Sequence, residues 1–153
     1  MKKPQNRTLE WIKSGRGCLP GKQEMFDARS PLIPELIDLH GKWRGTKPAI
    51  EAPEGTVSWA GFASSVRRVA HGLDGLGVGV GDRVGVLMGN RVATVEALFG
   101  ILAAGGVAVP LNLSVSDAAA LGMLNDAGVR AIVATRDQAD RLDAVCKRIE
   151  TLI

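Results

Sequence analysis

An α/β fold is predicted for this chain, built on a parallel βαβαβα sheet with helices on both faces. Three observations predict it. From residue 83 onward, short apolar runs rich in β-branched residues alternate with longer stretches of helical pattern. Those short runs are almost continuously apolar, as strands buried on both faces are, instead of alternating with polar residues. The 153 residues are 46% hydrophobic and 23% charged, a globular balance that excludes disordered and fibrous classes.

Residues 1–30 read as an irregular basic leader, punctuated by Gly15, Gly17, Pro20 and Gly21. Residues 31–153 form the α/β unit. Leu32, Ile33, Leu36, Ile37 and Leu39 recur at helical spacing; Pro34 suits a first turn, and Gly41 and Gly45 are expected to close that helix. Two β-prone pieces follow, Ala49–Glu51 and Thr56–Trp59, joined by a Pro53-Glu54-Gly55 turn. A helix spans Ala60–Leu76, with Phe62, Val66, Val69, Leu73 and Leu76 on one core-facing stripe.

The alternation then becomes regular. Arg83–Met88 is a strand, Val92–Ala104 a helix and Gly106–Val109 a strand, with Gly105-Gly106 permitting the tight turn between the last two. Ser116 is the N-cap of a helix running to Asp126. Val129–Thr135 is a third strand. Arg136–Glu150 is a last helix with Leu142, Val145, Cys146 and Ile149 on one stripe. The crossovers are expected to be right-handed. Thr151-Leu152-Ile153 read as the start of another strand, so the pattern implies a sheet, and a chain, that is incomplete.

Charge is uneven along the chain. The net charge of +3 is too small to argue for a nucleic-acid partner. Residues 1–47 hold ten basic and five acidic side chains, whereas the remainder holds nine and eleven. Attraction of the leader to phosphates or to a membrane surface is one reading; a solvated segment is the plainer one, since no run of like charges forms a tail. Cys18 and Cys146 show no metal or redox spacing. There is no apolar signal region, and the apolar stretch Ala97–Leu111 is broken by Gly105-Gly106 and Pro110, short of the roughly 18 residues of a spanning helix. A soluble protein of the cytoplasm, with no transmembrane segment, is the expectation.

Several motifs suggest chemistry and fail on inspection. Gly75, Gly77, Gly79 and Gly81 miss the dinucleotide-binding pattern, because Val80 and Asp82 stand at the third-glycine positions. They also join a helix to a strand, the reverse of a phosphate-cradling turn, and read as a helix C-cap. Between Gly15 and Gly21 lie five residues where a phosphate loop needs four, and Gln23 replaces the magnesium-binding hydroxyl. His71 sits beside the core stripe and His40 near a helix end, positions that suit packing or a helix dipole as well as catalysis. No metalloprotease, serine-nucleophile or paired-carboxylate motif appears.

One ordered set of short elements stands out. Thr56-Val57-Ser58-Trp59 precedes Arg67-Arg68-Val69-Ala70-His71-Gly72-Leu73, followed by Leu76-Gly77-Val78 and Gly81-Asp82-Arg83-Val84. Asn90, Ala97, Ala103-Ala104-Gly105 and Val109-Pro110-Leu111-Asn112 complete it. This order resembles the N-terminal part of the adenylate-forming (AMP-binding) superfamily over residues 31–150, and Val109-Pro110-Leu111-Asn112 is most similar to acyl-CoA synthetases. Peptide-synthetase adenylation domains tend to carry Tyr and Asp where this chain has Ala108 and Asn112. Ala93, Leu113 and Asp117-Ala118-Ala119-Ala120 depart from the usual pattern and leave the subfamily open.

The resemblance implies an ATP- and Mg2+-dependent ligase that converts a small carboxylic acid, a fatty acid among the candidates, into an acyl-adenylate and then a coenzyme A thioester. The phosphate-gripping loop of that superfamily is absent from these residues, so no catalytic, cofactor-binding or metal residue carries over. The chain is expected to be one wall of such an enzyme, inactive alone, with the remainder of the ligase as its natural partner. The alternative is a stand-alone binding or assembly module that self-associates through its uncovered face. A small Rossmann-type nucleotide binder rests on the alternating architecture alone.

Overall fold

The computed structural model describes residues 31–146 and the pair Thr151–Leu152. The leader, the Gly15–Gly21 segment, Cys18, residues 147–150 and Ile153 lie outside it, as do the side chains of Val145 and Cys146 and all of Ile149. Helix α1 spans Ile33–Trp43, with Glu35 in its first turn and Lys42 in its last, each matched to the helix dipole. Gly41 does not close this helix but lies inside it. A Cβ there would come within 2.9 Å of the Ala63 side chain, so the glycine serves close helix–helix approach.

Strands β1 (Pro48–Ala52) and β2 (Gly55–Ser58) form an antiparallel hairpin around the expected turn. Trp59 belongs to helix α2 (Trp59–Gly75), because the Ser58 hydroxyl accepts the Gly61 amide at 3.2 Å and starts the helix there. Phe62, Val66 and Leu73 are buried and Val69 half-buried, as the stripe requires. Leu76 departs from it at 48% exposure. The helix has ended at Gly75, Leu76 donates back to the Gly72 and Leu73 carbonyls, and Gly77, at φ 81°, turns the chain away.

The remaining elements are β3 (Arg83–Leu87), α3 (Val92–Ala103), β4 (Val107–Pro110), α4 (Asp117–Asp126), β5 (Ala131–Ala134), α5 (Arg136–Cys146) and β6 (Thr151–Leu152). The further strand expected at 151–153 is therefore present at Thr151–Leu152. The four strands pair in parallel in the order β4-β3-β5-β6. Successive residues of β3 and β5 point to opposite faces. Val84, Val86 and Ala131 pack with Leu73 of α2 and Ile101 of α3. Leu87 and Ile132 pack on the other face with Ala120 and Leu124 of α4 and Leu142 of α5. A third cluster, Ile37, Phe62, Ala63 and Val66, joins α1 and α2 to the hairpin.

Candidate functional site

In a parallel sheet all strands end at one edge, and ligands gather there, where the strand order reverses. Here the chain runs from β3 outward to β4, then crosses back so that β5 lies on the other side of β3. The reversal therefore falls between β3 and β5, where the Thr135 amide donates to the Leu87 carbonyl at 3.3 Å and continues the ladder past the strand ends. Three loops form this rim: Met88–Arg91 into α3, Leu111–Ser116 into α4, and Thr135 into α5.

The tip of the β1–β2 hairpin closes one side of the rim. Pro53 and Glu54 face Asn90, Arg91, Val92, Ala93 and Glu96 across an open groove of about 700 Å³. Glu54 reaches over and accepts the Val92 amide at 3.0 Å, capping α3 from a distant part of the chain. That bond, with Glu54's own backbone amide and the charge of Arg91, holds the carboxyl below its ordinary pKa. The Thr94 hydroxyl donates to the Gly89 carbonyl and secures the preceding turn.

The other two helix starts are closed by local groups. Ser116 caps α4 by accepting the Ala119 amide at 3.3 Å, and Asp117 occupies its first turn. In the first turn of α5, the Thr135 hydroxyl and the Gln138 side chain depress the Asp137 carboxyl. Arg141 of α5 fixes the intervening loop, donating to Asp117 at 2.7 Å and to the Leu113 and Val115 carbonyls. Asn112 shapes that loop by accepting the Ser114 amide at 2.9 Å. At the start of α3 a carboxylate of the chain itself holds the amide that a phosphate would seek, whereas at α4 the cap is the Ser116 hydroxyl and Asp117 is paired with Arg141. Among the described residues no group of three or more His, Cys, Asp or Glu side chains could hold a metal ion. The described residues of this rim therefore offer no cation or metal-ligand set that fits the triphosphate or magnesium of ATP.

The motifs singled out in the sequence lie elsewhere. Gly75, Gly77, Gly79 and Gly81 are at the opposite, amino end of β3, where Asp82 accepts the Gly79 amide and an Arg130 nitrogen, both at 2.7 Å. The turn amide that a phosphate would seek is already taken by a carboxylate. The Gly79 bond, and then Arg130, lower the Asp82 pKa. His71 is exposed on α2. His40 packs on Trp59 with ring centroids 4.7 Å apart, inside the α1–α2 contact. The Glu54 cap was missed in the sequence: its partner lies 38 residues away, and no local spacing announces such a bond.

Solved structures of CoA ligases share this fold. A benzoate CoA ligase from Burkholderia xenovorans LB400 superposes with a TM-score of 0.71 and 25% identity, over 78% of this chain and 24% of that one. VinN in complex with 3-methylaspartate superposes with a TM-score of 0.74 and 28% identity, over 80% of this chain and 34% of that one. Tenellin synthetase of Beauveria bassiana is 35% identical over 143 residues, 92% of this chain and 3% of that protein. The chain belongs to the AMP-binding enzyme family, which matches residues 40–152. It spans only 1% to 4% of the length of the first curated relatives it matches.

Proposed function

We propose that residues 31–153 form one structural wall of an ATP-dependent ligase that activates a small carboxylic acid and passes the acyl group to the thiol of coenzyme A. The carboxylate would attack the α-phosphorus of ATP and release pyrophosphate; the thiol would then displace AMP. One observation carries the reading of this chain as a wall: the amide at the start of α3, beside the strand-order reversal, is occupied by Glu54. The nucleotide-gripping groups, magnesium ligands and acyl pocket are then supplied by other parts of the enzyme, and the 153 residues alone turn nothing over.

Coenzyme A as acceptor draws support from the likeness to a benzoate CoA ligase and from Asn112 in the β4–α4 loop. The support from Asn112 rests on resemblance only, since an aspartate would accept the Ser114 amide equally well. Pyrophosphate exchange with a panel of carboxylates tests the proposal. The purified 153-residue chain is expected to show none, and carboxylate-dependent exchange by it would refute the wall reading. The native gene product, its length read from its intact mass, is expected to release AMP only when acid, ATP and coenzyme A are all present.

A further inference from the structure

Helix α1 has an apolar stripe that the core does not use. Ile37 and Gly41 face α2, whereas Leu36, the half-buried Leu39 and Trp43, spaced by three and four residues, lie along a different side. Leu36 is 40% exposed, Trp43 75%, and Ile33 in the first turn 56%. Lys42, Arg44 and Lys47 surround Trp43 in sequence and are all exposed, and no acidic residue occurs between Leu39 and Ile50. Of the two acids in α1, Asp38 is paired with Arg67, and Glu35 lies toward the opposite end.

We propose that this end of α1 docks on an anionic lipid surface, with Leu36 and Trp43 entering the headgroup layer and Lys42, Arg44 and Lys47 meeting lipid phosphates. An indole is apolar in body and polar at its N–H, so it settles at that boundary. Cations beside it add roughly fivefold each on an anionic membrane. The helix lies on the bilayer and does not cross it: α1 has 11 residues, and no described helix is long and apolar enough to span. The proposal is independent of the ligase reading, needing neither nucleotide nor acid.

Cosedimentation of the 153-residue chain with vesicles tests it. Binding is expected with vesicles containing about a third phosphatidylserine, at least about tenfold weaker binding with pure phosphatidylcholine, and loss of binding at high salt. Trp43→Ser should weaken the anionic binding about tenfold. The triple change Lys42→Gln, Arg44→Gln, Lys47→Gln should weaken it on the order of 100-fold. Both variants should keep the wild-type circular dichroism, because the altered side chains are exposed. Val80→Ser, at another exposed apolar position, should bind as wild type. Equal binding to neutral vesicles, no binding at all, or binding that survives both α1 variants would overturn the proposal. Lipid-free self-association abolished by Trp43→Ser would overturn it too, assigning the stripe to a second copy.

Discussion

Gly100 and Gly72 both sit inside helices, yet opposite outcomes are expected when each becomes alanine. A Cβ at Gly100 would lie 2.3 Å from the Val69 side chain, whereas at Gly72 nothing lies within 4 Å. Gly72→Ala should raise stability by about 0.5–1 kcal/mol through helix propensity. Gly100→Ala should lower it by about 1–3 kcal/mol through overpacking, despite the same propensity gain. Denaturant melts of the two variants compare them directly. Asp82 sets a pH dependence: its folded pKa is depressed, so its stabilisation is present above the ordinary carboxylate range and is lost as pH falls through the folded value. Thermal melts at falling acid pH should therefore decline less steeply for Asp82→Asn than for the wild type.

Helix starts carry the next level of organisation. The Ser116 cap was legible because a small hydroxyl residue directly precedes a helical pattern, and the structure shows its oxygen on the Ala119 amide. Ser116→Ala should cost about 1 kcal/mol, read from the denaturation midpoint. The start of α3 is different. Arg91 at its N-cap makes no side-chain cap bond, and Glu54 supplies one from the hairpin. Glu54→Ala should speed amide hydrogen exchange at Val92 while leaving Val84 and Ile132 in the strands protected. Unchanged exchange at Val92 would mean that the hairpin tip is not held there. Leu76 and Gly41 show where periodicity misleads. Leu76 fits the stripe by spacing but falls just past the helix end; Gly41 reads as a terminator but is a contact point with Ala63.

Across the whole molecule, the parallel sheet separates two cores. Ile101 belongs to the one under α2 and α3, and Ile132 to the one under α4 and α5, both fully buried. Ile101→Val and Ile132→Val should each cost about 0.5–1.5 kcal/mol. Their effects should add within about 0.5 kcal/mol, because the sheet keeps the two clusters apart. A double variant much more or much less stable than the sum would show that strain passes through the sheet. The same two-faced burial explains why the strands could be read from sequence: each face demands apolar residues, so β3 and β5 carry almost no polar ones.

Class, element order and family were determined by the sequence itself, since helical and strand periods are local properties of the chain and the short elements from Thr56 to Asn112 keep their order. The tertiary structure alone decided that β5 returns beside β3, that Gly100 and Gly41 are sites of close helix contact, and that Glu54 closes the start of α3. The physical reason is range. Periodicity and capping act over a few residues, whereas strand order, helix approach and a carboxylate 38 residues from its amide are fixed only when distant segments pack together.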